Sequence, residues 1–435
     1  MKKSHANLKP LRVTLVSGFL GSGKTSLLRH ILNQKETTSR YCIIVNEISE
    51  FNVDAITIEK GKLLQTEEKL VEMSNGCICC TLREDLLTKL KELYESGQFD
   101  RVLIESSGIS EPIQVAETFF FPVEGKSLQQ GIAPLTNCVS VVDASTIKSY
   151  LECNEVPEDG SVNEKDISSL LLDQLEFANV IVLNKLDLVT EDDKNQLLSL
   201  VHRINPTANI IPAVHSKVDL HMIVGEKPLF DEQVAFNSPD WMRDVNTPTI
   251  SETVEYGISS FAFRSDRPFH PQRLFEWITN NFVLHEHDSS EQSDGEGLSG
   301  DDIAKDNYIS SDEVLRAIKT DREAKYGKIF RGKGFVWIAS EMRLGLAIGW
   351  SQAGDVLNIN VVDSWENWSA TEPPAQRLIF IGQDLKQSLL TAELEALLLT
   401  DSELQMVEEA ITSGTPIELE DPFAHLSFEE TEHDI

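Results

Sequence analysis

Between Leu11 and about Ala213, short runs of aliphatic and β-branched residues alternate with longer stretches whose apolar positions recur every three or four residues. LRVTLVSG, YCIIVNE, DRVLIESSG, CVSVVDAS and VIVLNK read as strands, whereas KTSLLRHIL, REDLLTKLKELY and SSLLLDQLEFA read as helices. Strand, helix and strand repeated in this way predict an α/β domain with a mostly parallel, doubly wound sheet and helices on both faces. VTLVSG and VIVLNK are apolar at consecutive positions, as strands covered on both sides must be. In such a sheet the functional residues belong just beyond the carboxyl ends of the strands.

The pattern weakens into polar, proline-containing sequence from Phe230 to Thr249, and strand alternation resumes at YGISSFAFR, followed by the helical HPQRLFEWITNNF. This divides the chain into an N-terminal extension at 1–10, a first domain at 11–245 and a smaller α+β domain at 255–382. His285 to Asp306 is acidic, rich in Gly and Ser and poor in apolar residues, so it cannot bury enough surface to offset its ordering entropy. It predicts a disordered insertion at 285–306 within the second domain. EVLRAIKTDREAKYG, GFVWIAS, LGLAIGWS and LIFIG restore the folded pattern, a helix is expected over 383–412, and an acidic tail closes the chain at 413–435.

Composition narrows the partners. The 435 residues are 41% hydrophobic and 25% charged, which suits a folded globular chain. Lys and Arg total 38 against 71 for Asp and Glu, and a net charge of −33 repels nucleic-acid backbones. No run approaches the roughly 20 apolar residues of a membrane helix, and Met1 to Pro10 lacks an apolar signal core, so a cytoplasmic protein with no membrane partner is expected. Of six cysteines, Cys77, Cys79 and Cys80 crowd together while Cys42, Cys138 and Cys153 are scattered, which is no secreted disulfide framework.

The first strand runs into GFLGSGKT, comprising Gly18, Phe19, Leu20, Gly21, Ser22, Gly23, Lys24 and Thr25, which opens an apolar-periodic helix. In that context G-x-x-x-x-G-K-[ST] is a phosphate loop: backbone N–H groups converge on phosphate oxygens, Lys24 adds a point charge and the Thr25 hydroxyl can ligate Mg²⁺. RVLIESSG ends a second strand in Glu105, placed to hold Mg²⁺ through water, with Gly108 three residues on as a γ-phosphate sensor. A plain surface or cap carboxylate is the alternative reading of Glu105. N-K-L-D, Asn184 to Asp187, follows VIVL; the Asp187 carboxylate can accept the guanine N1 and N2 hydrogens, so Asn184 and Asp187 are the candidate readers of guanine, with Lys185 beside them in the base site. That motif points to GTP rather than ATP.

GCICC lies directly before TLREDLLTKLKELY, where Thr81 and Glu84 have capping-box spacing and place the helix start at Thr81. Cysteines at a helix N-terminus beside Arg83 favour thiolate, which binds soft or borderline metals, and ligand softness favours zinc. Three sulfurs leave a tetrahedral site one ligand short, to be supplied by Glu47, Glu50, a His, water or a receiving protein. Buried structural cysteines and a redox pair are the competing readings. His285, His287 and Asp288 in the insertion are weaker metal candidates, and His270 reads as a helix-entry residue.

The order GFLGSGKT, IVNEISEFNVDA, EEKLVEMSNGCICCTLREDLL, LIESSGISEP, VVDA and LNKLDLV resembles the CobW-like GTPase family, in particular its zinc-responsive YciC-like branch. RPFHPQR, KGFVWIAS, WSQAG and RLIFIG resemble segments of that family's carboxyl-terminal domain. The resemblance implies a phosphate-loop GTPase that binds Zn²⁺ at the C-x-C-C segment and couples nucleotide state to delivery of metal to a client apo-metalloprotein. It also implies a switch at Asn46, Glu47 and Glu50, with both carboxylates candidates for Mg²⁺ or for completing the zinc site. Rival readings are a nucleotide-gated zinc sensor that transfers no metal, a chaperone for cobalt or another metal, and a small-molecule kinase. A second copy of the chain is a further candidate partner.

Overall fold

A computed structural model describes residues 9–33, 39–45, 69–72, 80–106, 108, 112–120, 122–123, 126–128, 131–151, 167–225, 257–285, 312–342, 345–364 and 374–423. The chain divides into two compact units, Met1–Asp244 and Val245–Ile435.

In the first unit, strands β1 (Arg12–Ser17), β2 (Tyr41–Val45), β3 (Lys69–Glu72) and β4 (Arg101–Glu105) alternate with helices α1 (Lys24–Leu32) and α2 (Cys80–Ser96). Helix α3 (Pro112–Glu117) and a two-stranded hairpin, β5 (Pro122–Val123) with β6 (Lys126–Ser127), lead to β7 (Leu135–Asp143). Helices α4 (Ile147–Leu151) and α5 (Ile167–Phe177), β8 (Val180–Asn184), α6 (Glu191–Ile204), β9 (Asn209–Pro212) and α7 (Leu220–Ile223) follow. The seven-stranded sheet has the order β3-β2-β4-β1-β7-β8-β9, and every pairing in it is parallel. The doubly wound sheet expected from the strand–helix alternation is therefore present.

Side-chain alternation covers both faces, as a parallel sheet requires. Val13, Leu15, Cys42, Ile44, Val102 and Ile104 pack with Leu86, Leu90 and Leu93 of α2 on one side. Val16, Ile43, Leu103, Val139, Val141 and Val182 pack with Leu27, Leu28 and Ile31 of α1 on the other. The chain passes from β1 outward to β3, returns to β4 beside β1, then crosses to β7 on β1's other edge. The carboxyl end of β1 is thus the point where the winding reverses, the position that favours a ligand crevice. Helix α2 starts at Cys80, one residue before the expected Thr81, within the usual variation of a helix end.

Among the described residues of the second unit, six strands form a sheet in the order β10-β15-β12-β13-β14-β11. They are β10 (Ile258–Ser265), β11 (Val283–His285), β12 (Lys328–Val336), β13 (Leu346–Ala353), β14 (Val356–Ser364) and β15 (Gln376–Gln383). All pair antiparallel except β11 with β14. Helices α8 (Pro271–Asn281) and α9 (Asp312–Tyr326) join it, and its core gathers Phe261, Phe263, Trp277, Trp350 and Phe380. This is the smaller α+β domain expected.

One expectation needs correction. The single helix expected over 383–412 is two, α10 (Gln387–Ala396) and α11 (Asp401–Ser413). Leu398 bridges Phe269 and the Leu399 N–H donates to the Pro268 carbonyl, which pulls the chain out of helix. Thr400 then restarts it with a capping box to Glu403. His270 is the N-cap of α8, accepting from the Arg273 N–H, as its helix-entry reading anticipates. No helix among the described residues is long and apolar enough to cross a membrane.

Candidate nucleotide site

The loop after β1 turns because its glycines permit it. Gly18 has φ 137°, and a β-carbon there would lie 2.2 Å from the Val141 carbonyl oxygen of β7. Gly23 is the N-cap of α1 at φ 109°, with no side-chain cap, so the helix's first N–H groups face the loop rather than a capping hydroxyl. A β-carbon on Gly23 would come within 2.5 Å of Asn184 Nδ2 and 2.8 Å of Ser216 Oγ, so only glycine lets this loop meet the loops after β8 and β9. Lys24 is buried, and its Nζ donates to the carbonyls of Gly18 (2.8 Å) and Phe19 (3.3 Å) across the loop. An ammonium fixed beside a helix N-terminus forms a cradle whose chemistry suits polyphosphate.

Thr25 and Glu105 come together from separate elements. Glu105 ends β4 in register with Val16 of β1, and Thr25 Oγ1 donates to its Oε1 at 3.3 Å. A hydroxyl and a carboxylate at the edge of a phosphate cradle are hard oxygen donors, the set that fits Mg²⁺. Gly108 packs against the phosphate loop, where a β-carbon would lie 2.8 Å from the Leu20 nitrogen.

The base-site candidates divide their work. Asn184 is buried; its Nδ2 donates to the Ser22 carbonyl and to Ser216 Oγ, both at 2.9 Å, and its Oδ1 accepts the Ser216 N–H at 2.8 Å. It therefore braces the loops against the phosphate cradle. Lys185 adopts the left-handed conformation at φ 61° and donates to Asp143 Oδ2 at 2.6 Å. Burial opposes ionisation of Asp143, yet hydrogen bonds from Lys185 and Ser145 hold its carboxyl below the usual range. Asp187 stands exposed on the turn Leu186–Leu188, with its carboxylate open to an incoming base.

Ser216 was not singled out by sequence reasoning. Its Oγ donates to the Gly23 carbonyl at 3.0 Å, and both it and His215 have positive φ, 55° and 53°. The available signal was AVHSK directly after the β9 strand, at the same carboxyl edge as the other motifs. Phe19, Ser22, Val141, Asp143, Thr146 and Tyr150 line a small cleft beside the cradle, with the Phe19 ring edge-on to Tyr150 at 4.8 Å.

Cys80 is the first residue of α2. Glu47, Glu50, Cys77, Cys79, His287 and Asp288 lie outside the described residues, as do Asn46 and most of the 285–306 segment.

The family model of the CobW/HypB/UreG nucleotide-binding domain matches residues 12–212, and that of the cobalamin synthesis protein cobW C-terminal domain matches residues 302–398. The chain is 36% identical over 432 residues to "Zinc-regulated GTPase metalloprotein activator 1" of Dictyostelium discoideum, covering 91% of this chain and 81% of that protein. It is 27% identical to "Zinc chaperone YjiA" of Escherichia coli (strain K12), over 88% of this chain and 98% of that one. "Zinc chaperone CobW" of Sinorhizobium sp is 31% identical over 43% of this chain and 54% of its own length.

Proposed function

The chain belongs to the CobW family and is a GTPase, and on that premise we propose that it is a zinc metallochaperone in which GTP binding and hydrolysis gate delivery of Zn²⁺ to a client apo-metalloprotein. One observation carries the nucleotide half of this reading: the phosphate cradle, the Thr25–Glu105 pair and the Asn184–Ser216 brace meet at one end of one sheet. In this reading Gly18 to Thr25 hold the phosphates, and Lys24 stabilises the charge that develops on the transferring group. Thr25 and Glu105 would hold Mg²⁺, which would supply Lewis-acid polarisation of the phosphate oxygens. Gly108 senses the γ-phosphate, while Asn184 and Asp187 read guanine with Lys185 beside them.

The metal half is supported by sequence and topology together. Cys80 opens a helix that follows β3, and β3 runs parallel to β1, so the helix starts from the same sheet edge as the phosphate cradle. Thiolates of Cys77, Cys79 and Cys80, completed by Glu47, Glu50 or a client residue, would make a three-plus-one zinc site suited to transfer. Zinc occupancy and nucleotide state would then bias one shared edge, and the coupling would be reciprocal.

The test is a competitive zinc titration of the full chain with GDP, with a non-hydrolysable GTP analogue and without nucleotide. Tighter zinc binding in the triphosphate form by at least tenfold, about 1.4 kcal/mol, is expected. Identical affinities in all three arms would reduce the protein to two independent sites. Alanine at both Cys79 and Cys80 should abolish tight zinc binding and leave GTP binding in place; zinc affinity that survives the change removes the C-x-C-C assignment. Hydrolysis-dependent passage of ⁶⁵Zn to an apo-client separates a chaperone from a sensor.

A further inference from the structure

Helix α5 buries three polar residues, Ser168, Ser169 and Gln174, beside its leucines. Leu170, Leu171, Leu172 and Leu175 are buried, and Gln174 among them is 0% exposed. A primary amide in such a place needs a partner, since burying one without a hydrogen bond costs about 1–3 kcal/mol. Its Nε2 donates to the carbonyl of Gly108 at 3.0 Å, across 66 residues of sequence.

Gly108 has little freedom in the opposite direction. A β-carbon on it would lie 2.6 Å from Leu20 Cδ2 and 2.8 Å from the Leu20 backbone nitrogen, so the residue is seated directly on the phosphate loop. The chain reaches it from β4 through Ser106, whose N–H donates to the Val16 carbonyl at 3.0 Å and prolongs the pairing with β1. Gly108 is therefore pinned between the loop and α5. Helix α5 touches this region twice more: Leu171 lines the cleft formed with Phe19 and Leu20, and the helix packs on α3, which follows Gly108 in the chain.

We propose that Gln174 is a positioning residue for triphosphate recognition, anchoring Gly108 where its backbone N–H meets the γ-phosphate. The inference rests on the reading of Gly108 as the γ-phosphate sensor given above. An anchored N–H donor needs no reorganisation when the triphosphate arrives, whereas a loose one loses part of its binding energy to ordering. GDP makes no use of that donor. The anchor thus acts on GTP and spares GDP, a separation that simple support of the core would not produce.

The experiment measures affinities of the full chain for a fluorescent GDP and a fluorescent non-hydrolysable GTP analogue, with single-turnover GTP hydrolysis alongside. Gln174→Met keeps the volume and removes the donor. Its affinity for the analogue should fall about tenfold, equivalent to about 1.4 kcal/mol, with a similar fall in hydrolysis rate and GDP affinity held within twofold. Retained GDP affinity also establishes that the variant is folded. Equal losses for both nucleotides, no loss for either, or a gain for the analogue would each overturn the proposal. Gly108→Ala separates the two levels. If it leaves the analogue-to-GDP ratio unchanged, the sensor reading fails and the anchor fails with it; if it lowers the ratio and Gln174→Met does not, the anchor alone fails.

Discussion

Lys24 and Arg322 are both buried cations, 7% and 2% exposed, one in each unit, and they are held in opposite ways. The Lys24 ammonium rests on two backbone carbonyls of a loop whose neighbouring helix N-terminus has no side-chain cap. Arg322 on α9 is closed off: it pairs with Asp355 in the β13–β14 turn, donates to the Asn281 carbonyl at 2.9 Å and lies over the Phe282 ring at 5.0 Å. Lys319 adds a second cation to Asp355 at 3.3 Å. The first arrangement sets an ammonium in a glycine-rich loop at a helix N-terminus, and the second is an ion pair in a packed core. Burial of charge alone does not mark a site; the backbone around the charge does.

Substitution should separate the two arrangements by what each one loses. On the proposed function, Lys24→Ala removes a charge assigned to the transferring phosphoryl group, and the expected fall in kcat/KM for GTP is on the order of 10³-fold with little change in unfolding midpoint. A variant that unfolds at the same time would show that Lys24 is a structural group like Arg322. Asp355→Ala is the mirror image. It leaves Arg322 buried without its counter-ion, so stability should fall by about 3 kcal/mol in urea titration, and GTP hydrolysis at permissive temperature should persist. Loss of hydrolysis with stability intact would place Asp355 in the catalytic apparatus instead.

The same contrast explains what could be read from the chain before its structure. The phosphate loop, Glu105 and the parallel sheet were legible because each depends on local chemistry: glycines at fixed spacing, an acid at a strand end, apolar runs of strand length. For Asn184 the motif was legible and the brace was not. Its type and place were visible in N-K-L-D, but its amide is occupied by Ser22 and by Ser216, 32 residues away, and no local pattern announces that partnership. Gln174 was hidden for the same reason, as one polar letter in SSLLLDQLEFA whose partner is 66 residues distant. The break between α10 and α11 was legible in principle, because T-D-S-E at Thr400 to Glu403 is a capping box; the continuous apolar periodicity on either side masked it.

Ser216 tests whether the nucleotide site is braced as well as charged. Its hydroxyl accepts from Asn184 and donates to Gly23, so Ser216→Ala removes two neutral hydrogen bonds between the base loop and the phosphate cradle. Each is worth about 0.5–1.5 kcal/mol, and the expected result is a roughly tenfold weaker affinity for GDP and GTP analogue alike. Equal weakening distinguishes this brace from Gln174, whose loss should touch the triphosphate only. Unchanged affinity in a fluorescent-nucleotide titration would mean that the loops hold their places without the hydroxyl.

Glu403 offers the smallest effect and the most specific signature, because its ion pair in the second unit should respond to pH. Arg273 donates to both Glu403 oxygens, at 2.9 and 2.8 Å, and the Thr400 N–H adds a third bond at 2.8 Å. The Arg273 hydrogen bonds dominate and lower the Glu403 carboxyl to about 2 from an ordinary 4.5. A carboxyl held lower in the folded chain than in the unfolded one contributes stability that is complete above the unfolded value and fades as pH falls toward the folded value. The Glu403 side chain is 25% exposed, so solvent screening reduces the contribution to on the order of 1 kcal/mol. Glu403→Gln should therefore be less stable than the parent chain by about that amount at pH 7, and the gap should narrow between about pH 4.5 and pH 2. A gap that stays constant over that window would show that the capping bond to Thr400, which glutamine preserves in part, and the packing around it outweigh the charge on Arg273.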